Sequence, residues 1–433
     1  MEKIKLEIIK WIVDLIKKHK QWFKDLSIHI DKFNFGILKD DLTKLEQIYM
    51  GGLVKSGYFI ETVQGYLLTL KGQSELGVNQ KQSNKVKELK ANKIKLWSFS
   101  ELEQWNGCQL SYKLQRIDRV PQLHSSYSFY GSLAHDIQES YVLGNISYKE
   151  MIEQFKIRLE RLKTLGVLLP KDRKGGLTIQ ENYEKCLKDY FRHNYTEITK
   201  DIRVEVEVLN QIGEHWILGY IDYLKINRKE NGKFYVDIID FKTSTIYSKE
   251  EMKVKARQLI LYKILLEKSY PNIIVENLGW DFMKYVNIYF NSKPSKKSRK
   301  DNYIEPYYEK LIKELGESMD KEIQKWIRTK TIPQEYQYLI NIKNCYVYYY
   351  PTQEDIDEIT QYVENTTQEV KNGIEKNEFT NRDYAHEQFF CDNLCGFREK
   401  CPIINQSNIP QGKSMNSILQ DILKKRKVGN VRN

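Results

Sequence analysis

Three apolar β-type runs follow one another in the middle of this chain and lead into a long helical pattern. The runs are DIRVEVEVLN at 201–210, HWILGYIDYLKI at 215–226 and KFYVDIIDFKTS at 233–244. The segment EEMKVKARQLILYKILLEK at 250–268 has helical length and contains neither Gly nor Pro. Short connections favour an antiparallel meander, and the unbroken segment predicts a helix that packs on it. This order predicts an α/β fold.

Patterns on both sides of the meander extend the same domain. Residues 97–117 begin with a capping pattern, Ser98 with Glu101, and predict a helix that carries Cys108 near its middle. KPSKKSRK at 293–300 predicts a strongly basic loop. Further helices are predicted from about Gly131 to residue 195, over 305–328 and over 353–375, and further strands over 278–290 and 345–350. Together these elements predict a mixed sheet flanked by helices.

The first 78 residues have a different organisation. Apolar residues at helical spacing predict helices over 4–18, 21–30 and 39–56. YFIETVQGYLLTL then alternates apolar residues about a Gln64-Gly65 turn, which is typical of a hairpin. Three helices and a hairpin predict a winged-helix-like domain, and the pattern leaves open whether it binds DNA or protein.

Changes in composition mark the predicted domain boundaries. Residues 79–96 hold six Lys and one Glu with little apolar periodicity, as expected for a solvated basic linker. The predicted organisation is a winged-helix-like domain at 1–78, this linker, a main domain at 97–405 and a basic tail at 406–433.

The charge balance favours a polyanionic partner. Lys and Arg number 69 against 58 Asp and Glu, which gives a net charge of +11 over 433 residues. No run approaches the roughly 18 to 20 apolar residues that a membrane span needs, and no signal-peptide pattern is evident. We therefore expect a cytoplasmic protein that binds DNA and does not enter a membrane.

Two aspartates and a lysine at the ends of the β-type runs are the strongest candidates for chemistry. Asp222 ends one run, while Asp240 and Lys242 end another. Two carboxylates brought together would repel each other unless a divalent cation lies between them, and oxygen ligands suit Mg²⁺ or Mn²⁺. Lys242 shares a strand face with Asp240, from which its ammonium could orient a water molecule that attacks phosphorus. Ordinary strand-end charges would give the same pattern.

Gln258 and Tyr262 add a second group of candidates. Their i, i+4 spacing places them on one face of the helix that follows, from which they could reach a substrate.

The motifs GSLAH at 131–135, GYID at 219–222, DFKTS at 240–244 and QLILY at 258–262 occur in an order that resembles the RecB-like branch of the PD-(D/E)XK nuclease superfamily. The resemblance covers roughly residues 97–403 and implies a restriction-endonuclease-like fold. It also implies that His135, Asp222 and Asp240 bind Mg²⁺ or Mn²⁺, that Lys242 is catalytic, and that Gln258 and Tyr262 contact DNA. Glu205 and Glu207 could supply a further acidic group, or simply lie on an exposed strand face.

Three cysteines crowd together near the end of the main domain. CDNLCGFREKC contains Cys391, Cys395 and Cys401, and Cys108 is the natural fourth ligand of a soft-metal site. One early and three late cysteines resemble the iron-sulfur members of the RecB-like branch, such as AddB-type subunits and CRISPR-associated RecB-like exonucleases, which implies a structural [4Fe-4S] cluster. Four thiolates also suit Zn²⁺. Cys186 and Cys345 fall outside the pattern and are expected to be buried thiols.

These inferences lead to a metal-dependent deoxyribonuclease, with exonuclease action on single-stranded DNA or DNA ends. The basic loop at 293–300 and the tail KKRKVGNVRN at 424–433 would track phosphates. The alternative is a non-catalytic DNA-binding or regulatory protein that uses the winged helix and holds a structural zinc. No phosphate-loop motif is present in the chain, so a helicase would be a separate partner. The sequence leaves open whether the setting is repair, CRISPR adaptation or a mobile element.

Overall fold

A seven-stranded mixed sheet forms the centre of the larger part of the molecule. The computed structural model describes residues 36–42, 44–55, 58–68, 82–120, 122, 125–171, 178–194, 196 and 201–406. The strands are β1 (Gly36–Leu38), β2 (Phe59–Glu61), β3 (Gly65–Leu68), β4 (Leu96–Trp97), β5 (Ile202–Ile212), β6 (His215–Glu230), β7 (Lys233–Lys242), β8 (Ile273–Phe290), β9 (Lys293–Ser298) and β10 (Ile340–Tyr349). The helices are α1 (Lys44–Lys55), α2 (Asn84–Ala91), α3 (Phe99–Gly107), α4 (Gln109–Tyr112), α5 (Ser126–Val142), α6 (Tyr148–Thr164), α7 (Thr178–Arg192), α8 (Lys249–Ser269), α9 (Tyr308–Leu315), α10 (Asp320–Thr329), α11 (Gln353–Lys376) and α12 (Pro402–Gln406).

The central sheet has the order β10, β8, β7, β6, β4, with β5 also paired to β6 and β9 to β8. β5, β6 and β7 form the predicted antiparallel meander, whereas β7 pairs in parallel with β8 after the crossover through α8. The predicted mixed sheet flanked by helices is therefore confirmed.

Two apolar layers cover opposite faces of this sheet. Val236 and Ile238 of β7 belong to a core that includes α3, α8 and α11. Ile239 and Phe241 of the same strand belong to a second core, built mainly by α5, α6 and α7. The alternation follows from the period of two along a strand, and it fixes which helix layer each side chain of β7 meets.

The N-terminal unit combines a helix with a small sheet of order β1, β3, β2. Met50 and Leu53 of α1 pack on Phe59 and Tyr66 of the hairpin. The hairpin of β2 and β3 agrees with the prediction. The helix predicted over 39–56 begins at Lys44, and β1 is a strand that was not predicted. The helices predicted over 4–18 and 21–30 lie outside the described residues, so the winged-helix assignment stays a prediction.

The stretch 79–96, predicted as a linker, contains ordered structure. Its residues 84–91 form α2, whose first turn is capped by Ser83, because the Ser83 side chain accepts a hydrogen bond from the Val86 amide. Val86 and Leu89 are buried on one side of the helix. Two apolar residues at i, i+3 are enough to dock a short helix, and the many lysines lie around them.

Cys108 does not lie within a helix, as the sequence had suggested. α3 ends at Gly107, Cys108 is extended with φ −168° and ψ 103°, and α4 begins at Gln109. The Ser111 hydroxyl donates a hydrogen bond to the Cys108 carbonyl in the first turn of α4. Gly107 is a poor helix former, so a break at this point has a small energetic cost.

The segment 293–300 is a strand and not a loop. β9 pairs with β8 across a two-residue turn at Asn291 and Ser292, both with positive φ, as a tight hairpin requires. Arg299 at its end is fully buried, with Nη1 3.0 Å from Asp189 Oδ2. The charges of this basic segment are therefore not all solvated, because Arg299 forms a buried ion pair just after the strand.

Two predicted helices have different limits in the structure. The helix expected from Gly131 begins at Ser126, after a cap by Ser125. The helix expected over 305–328 is divided at Gly316, which has φ +88° and ends α9. Among the described residues, no helix is long and apolar enough to cross a membrane.

Candidate active site

The strands β6 and β7 stop pairing at the point where their aspartates lie. Tyr223 opposite Ile239 is the last pair of the ladder, and Asp222 and Asp240 are the next residues on each strand. Asp222 lies within β6, not at its end, but its Oδ2 accepts a hydrogen bond of 3.2 Å from the Phe241 amide. The divergence of two strands thus brings both carboxylates together.

Lys242 lies on the same face as Asp240. Its Nζ is 2.5 Å from Asp240 Oδ2, and the aspartate side chain is only 8% exposed. Burial lowers the pKa of Lys242, but attraction by Asp240, Tyr247 and Asp222 outweighs this effect and raises the pKa. Lys242 therefore remains an ammonium group.

His135 reaches the aspartates from the helix layer. It lies on α5, with Nδ1 3.6 Å from Asp222 Oδ2 and its ring edge-on to Phe241. Burial, assisted by the charge of Lys242, lowers the pKa of His135 to about 4. The imidazole is therefore neutral at physiological pH, which is the form that binds metals.

The two carboxylates are electrostatically unfavourable as they stand. Burial and the neighbouring charge of Asp240 raise the pKa of Asp222 well above its usual range. Within the described residues, no three His, Cys, Asp or Glu side chains surround a point closely enough to hold a metal ion in this arrangement. The donor set still fits a divalent cation, because two carboxylates and a neutral imidazole gain most from positive charge placed between them.

Tyr262 of α8 packs on the opposite side of the aspartates. An ideal Cβ on Gly219 would lie 2.4 Å from Tyr262 Cε1, so only a glycine permits this approach. The Gln258 Nε2 donates to the Tyr262 hydroxyl over 3.1 Å. Burial raises the pKa of Tyr262 to about 12, and Asp240 and Asp222 contribute in the same direction. The two predicted helix residues therefore bond to each other, and Tyr262 lies near enough to the aspartates to be influenced by their charge.

The structure distinguishes the two glutamates that the sequence left undecided. Val204 pairs with Tyr223 and Val206 with Ile221 in one unbroken register, so Glu205 lies directly opposite Asp222, and it has φ +50°. Glu205 adds to the rise in the pKa of Asp222. Glu207 instead accepts hydrogen bonds from the Ser83 amide and the Tyr220 hydroxyl. Alternating Val and Glu could not reveal which glutamate lies opposite Asp222.

The four predicted cysteine ligands line one small cavity. Cys108 contributes from the break between α3 and α4, Cys391 from within a π-helical turn over Phe390–Leu394, Cys395 from directly after that turn, and Cys401 from just before α12. Burial raises the pKa of Cys391 to about 11, and the other three sulfurs add to it. Cys186 and Cys345 are buried thiols elsewhere.

Comparison with known proteins assigns the family. The sequence profile of the PD-(D/E)XK nuclease superfamily matches residues 96–402, and the chain belongs to this superfamily. Membership implies a hydrolase of phosphodiester bonds that acts on DNA and typically uses a divalent metal such as Mg²⁺. Among curated proteins, no sequence matches the chain significantly.

A crystal structure from Eubacterium rectale, provisionally described as an exonuclease, is similar in fold. The similarity has a TM-score of 0.35 and 10% sequence identity, and it covers 76% of this chain and 94% of that one.

Proposed function

We propose that this nuclease is a Mg²⁺- or Mn²⁺-dependent deoxyribonuclease that acts as an exonuclease on single-stranded DNA or DNA ends. One observation carries the proposal: His135, Asp222, Asp240 and Lys242 come from three elements and meet where the β6 and β7 ladder ends. Their arrangement has no packing purpose, because it buries two like charges beside each other.

The proposed roles follow from the contacts. His135, Asp222 and Asp240 would hold the cation, which when bound neutralises charge on the phosphate and on the developing oxyanion. Asp240 holds the ammonium of Lys242 through their ion pair, and Lys242 donates a hydrogen bond that orients the attacking water. Gln258 and Tyr262 would contact the substrate from the α8 side. The alternative of a non-catalytic regulator is disfavoured because none of these residues is missing.

The proposed preference for single-stranded DNA or DNA ends is based on the resemblance to RecB-like nucleases. The net charge of +11 supports binding to a polyanion. We further propose a cytoplasmic setting, with a helicase or an adaptation complex as a separate partner.

The four cysteines are proposed to bind a structural [4Fe-4S] cluster. The support is that Cys108, Cys391, Cys395 and Cys401 all line one cavity. Burial, with a smaller contribution from the neighbouring sulfurs, raises the pKa of Cys391 and disfavours its thiolate, and a bound metal would stabilise the thiolate form. Zinc at the same ligands would make the purified protein colourless, whereas an iron-sulfur cluster would make it brown.

The deciding experiment compares cleavage with binding. Protein purified anaerobically is analysed for iron and zinc, then tested on end-labelled single-stranded DNA with Mg²⁺ or Mn²⁺. We expect Asp240→Ala and Lys242→Ala to reduce cleavage by at least about 1,000-fold, since each removes part of the metal and water site. DNA affinity should change by less than about threefold.

Lys229→Ala is the matched control, because Lys229 lies at the opposite end of the β6 and β7 hairpin. It should leave the cleavage rate unchanged. Parallel loss of DNA binding and cleavage in folded Lys242→Ala protein would contradict the proposed role.

A further inference from the structure

Lys284 lies beside the catalytic end of β7 without a counter-ion. It lies on β8, two residues after Phe282, which pairs with Lys242 of β7. Its Nζ is 5.0 Å from the ring centroid of Tyr183, and among the described residues no carboxylate lies within ion-pair distance. Its side chain is partly buried, and burial lowers its pKa. A desolvated cation in this position suits an anionic group of a ligand.

Tyr183 connects this lysine to the catalytic strand. The side chain of Thr243, the residue after Lys242, lies close enough to the Tyr183 hydroxyl to oppose the rise in its pKa that burial causes. Thr243 also lies against α5, where an ideal Cβ on Gly131 would be 3.5 Å from Thr243 Oγ1. Gly131 is one helical turn before His135. Lys284 and Tyr183 are therefore immediate neighbours of the proposed active site.

A series of aromatic rings leads away from this point. Tyr183 contacts Tyr127 at the start of α5, with ring centroids 6.4 Å apart, and Tyr127 contacts Phe389 at 6.1 Å. The exposed fraction increases along the series, from 6% for Tyr183 to 58% for Phe389. Phe389 directly precedes the turn that carries Cys391. The series therefore ends on the segment between residues 389 and 395, here called the cysteine segment.

The cysteine segment also borders the α8 side of the site. A cleft of about 910 Å³ is lined by Phe390 and Leu394 of the segment and by Val254 and Lys255 of α8. Val254 is one turn before Gln258. The segment thus lies between the first turns of α5 and α8, across the approach to the catalytic strands.

We propose that a DNA single strand runs from the active site along Lys284 and Tyr127 to Phe389, with a phosphate on Lys284 and an unpaired base stacked on Phe389. The proposal rests on the proposed nuclease function and assigns the cysteine segment a part in substrate binding. A single strand is the expected occupant because it offers exposed base faces, which a duplex keeps in its own stack.

The first test concerns base stacking. In a Lys242→Ala background, which prevents cleavage, Phe389→Ala should weaken binding of a 20-nucleotide single strand roughly five- to 100-fold. Binding of a blunt duplex should change by less than about twofold. Tyr338→Ala is the control, since this tyrosine is 73% exposed on another part of the molecule. Equal loss of single-strand and duplex binding would overturn the stacking role of Phe389.

The second test concerns the phosphate contact. Lys284→Ala should weaken single-strand binding and reduce the slope of log affinity against log salt by about 0.7, the value for one phosphate contact on a single strand. Lys229→Ala is the control, because Lys229 lies 5.0 Å from the Phe234 ring at the far end of β7. An unchanged salt slope for Lys284→Ala would overturn the phosphate contact.

Different experiments test the proposed path of the single strand and the proposed nuclease activity. Unchanged single-strand binding by both Phe389→Ala and Lys284→Ala would overturn the strand path, whatever the wild-type cleavage assay shows. Phe389-dependent binding without any metal-dependent cleavage would support the path and reject the proposed nuclease activity.

Discussion

Asp281 shows how one buried carboxyl group can make stability depend on pH. It lies on β8, the neighbour of β7 in the sheet, where it pairs with Phe241, and it is fully buried. Its Oδ2 accepts hydrogen bonds from the Tyr190 hydroxyl and the Asn344 amide. Burial raises the pKa of Asp281 to about 6, although Arg299 acts in the opposite direction. The folded chain therefore binds this proton more tightly than the unfolded chain.

We expect Asp281→Asn to flatten the pH dependence of unfolding. Because the folded pKa is raised, the contribution of Asp281 is fully present below about pH 4 and is lost as pH rises through about 6. The wild-type protein should lose roughly 2–3 kcal/mol more than the variant between pH 4 and pH 8. Denaturant unfolding at several pH values measures the difference, and parallel curves for both proteins would contradict the raised pKa.

Single residues also show what sequence patterns can and cannot reveal. Asp222, Asp240 and Lys242 stand out because charges that follow apolar runs have no packing role. Glu205 was not separable from Glu207, because the position of Glu205 opposite Asp222 depends on the register of β5 against β6. Arg299 was predicted to lie in a basic loop, because its burial depends on Asp189, which is distant in the sequence.

The contact of α8 with β6 is the element-scale feature that shapes the site. Gly219 leaves the space that the Tyr262 ring occupies, and Gln258 donates a hydrogen bond to the hydroxyl of that ring. The helix itself follows from its sequence, with a capping box between Ser248 and Glu251. The close approach of its Tyr262 ring to β6 depends on a single glycine.

Gly219→Ala should impair cleavage with little loss of fold. The added methyl group would lie 2.4 Å from Tyr262 Cε1, so the ring has to move away from the aspartates. We expect a roughly 10- to 100-fold lower kcat/KM, as for other displacements of a positioned group. Kinetics on the single-stranded substrate, together with circular dichroism, measures both effects.

Gly51→Ala is the corresponding control, because an added Cβ at Gly51 has no neighbour within 4 Å. Its activity should equal that of the wild type. Full activity of Gly219→Ala would show that the position of Tyr262 has no influence on turnover.

Elements were predicted best where the signal is local. The meander, α8 and α11 have strong periodicity and appear within a few residues of their predicted limits. β9 was not predicted. The one local signal for it is the Asn291-Ser292 pair, which forms the tight turn before the strand with positive φ at both residues. The lysine-rich composition masked this signal, and α2 was masked in the same way.

At the scale of the whole molecule, the cysteines join the two ends of the nuclease domain. Cys108 lies at the break between α3 and α4, near the start of the domain, while the other three lie in its last described residues. The sheet and its two cores separate these ends along the chain. A shared metal would therefore restrain the cysteine segment, including Phe389, against the start of the domain.

Cys391→Ser should weaken this connection and lower stability. Removing one of four ligands reduces metal affinity, and a structural metal contributes folding free energy of several kcal/mol. We expect a lower iron content and a Tm lower by roughly 10 °C. Cys345→Ala is the control, because Cys345 is buried away from the cavity and should retain the iron content of the wild type. Loss of turnover in Cys391→Ser with unchanged iron content and Tm would show that this cysteine acts in catalysis and not as a structural ligand.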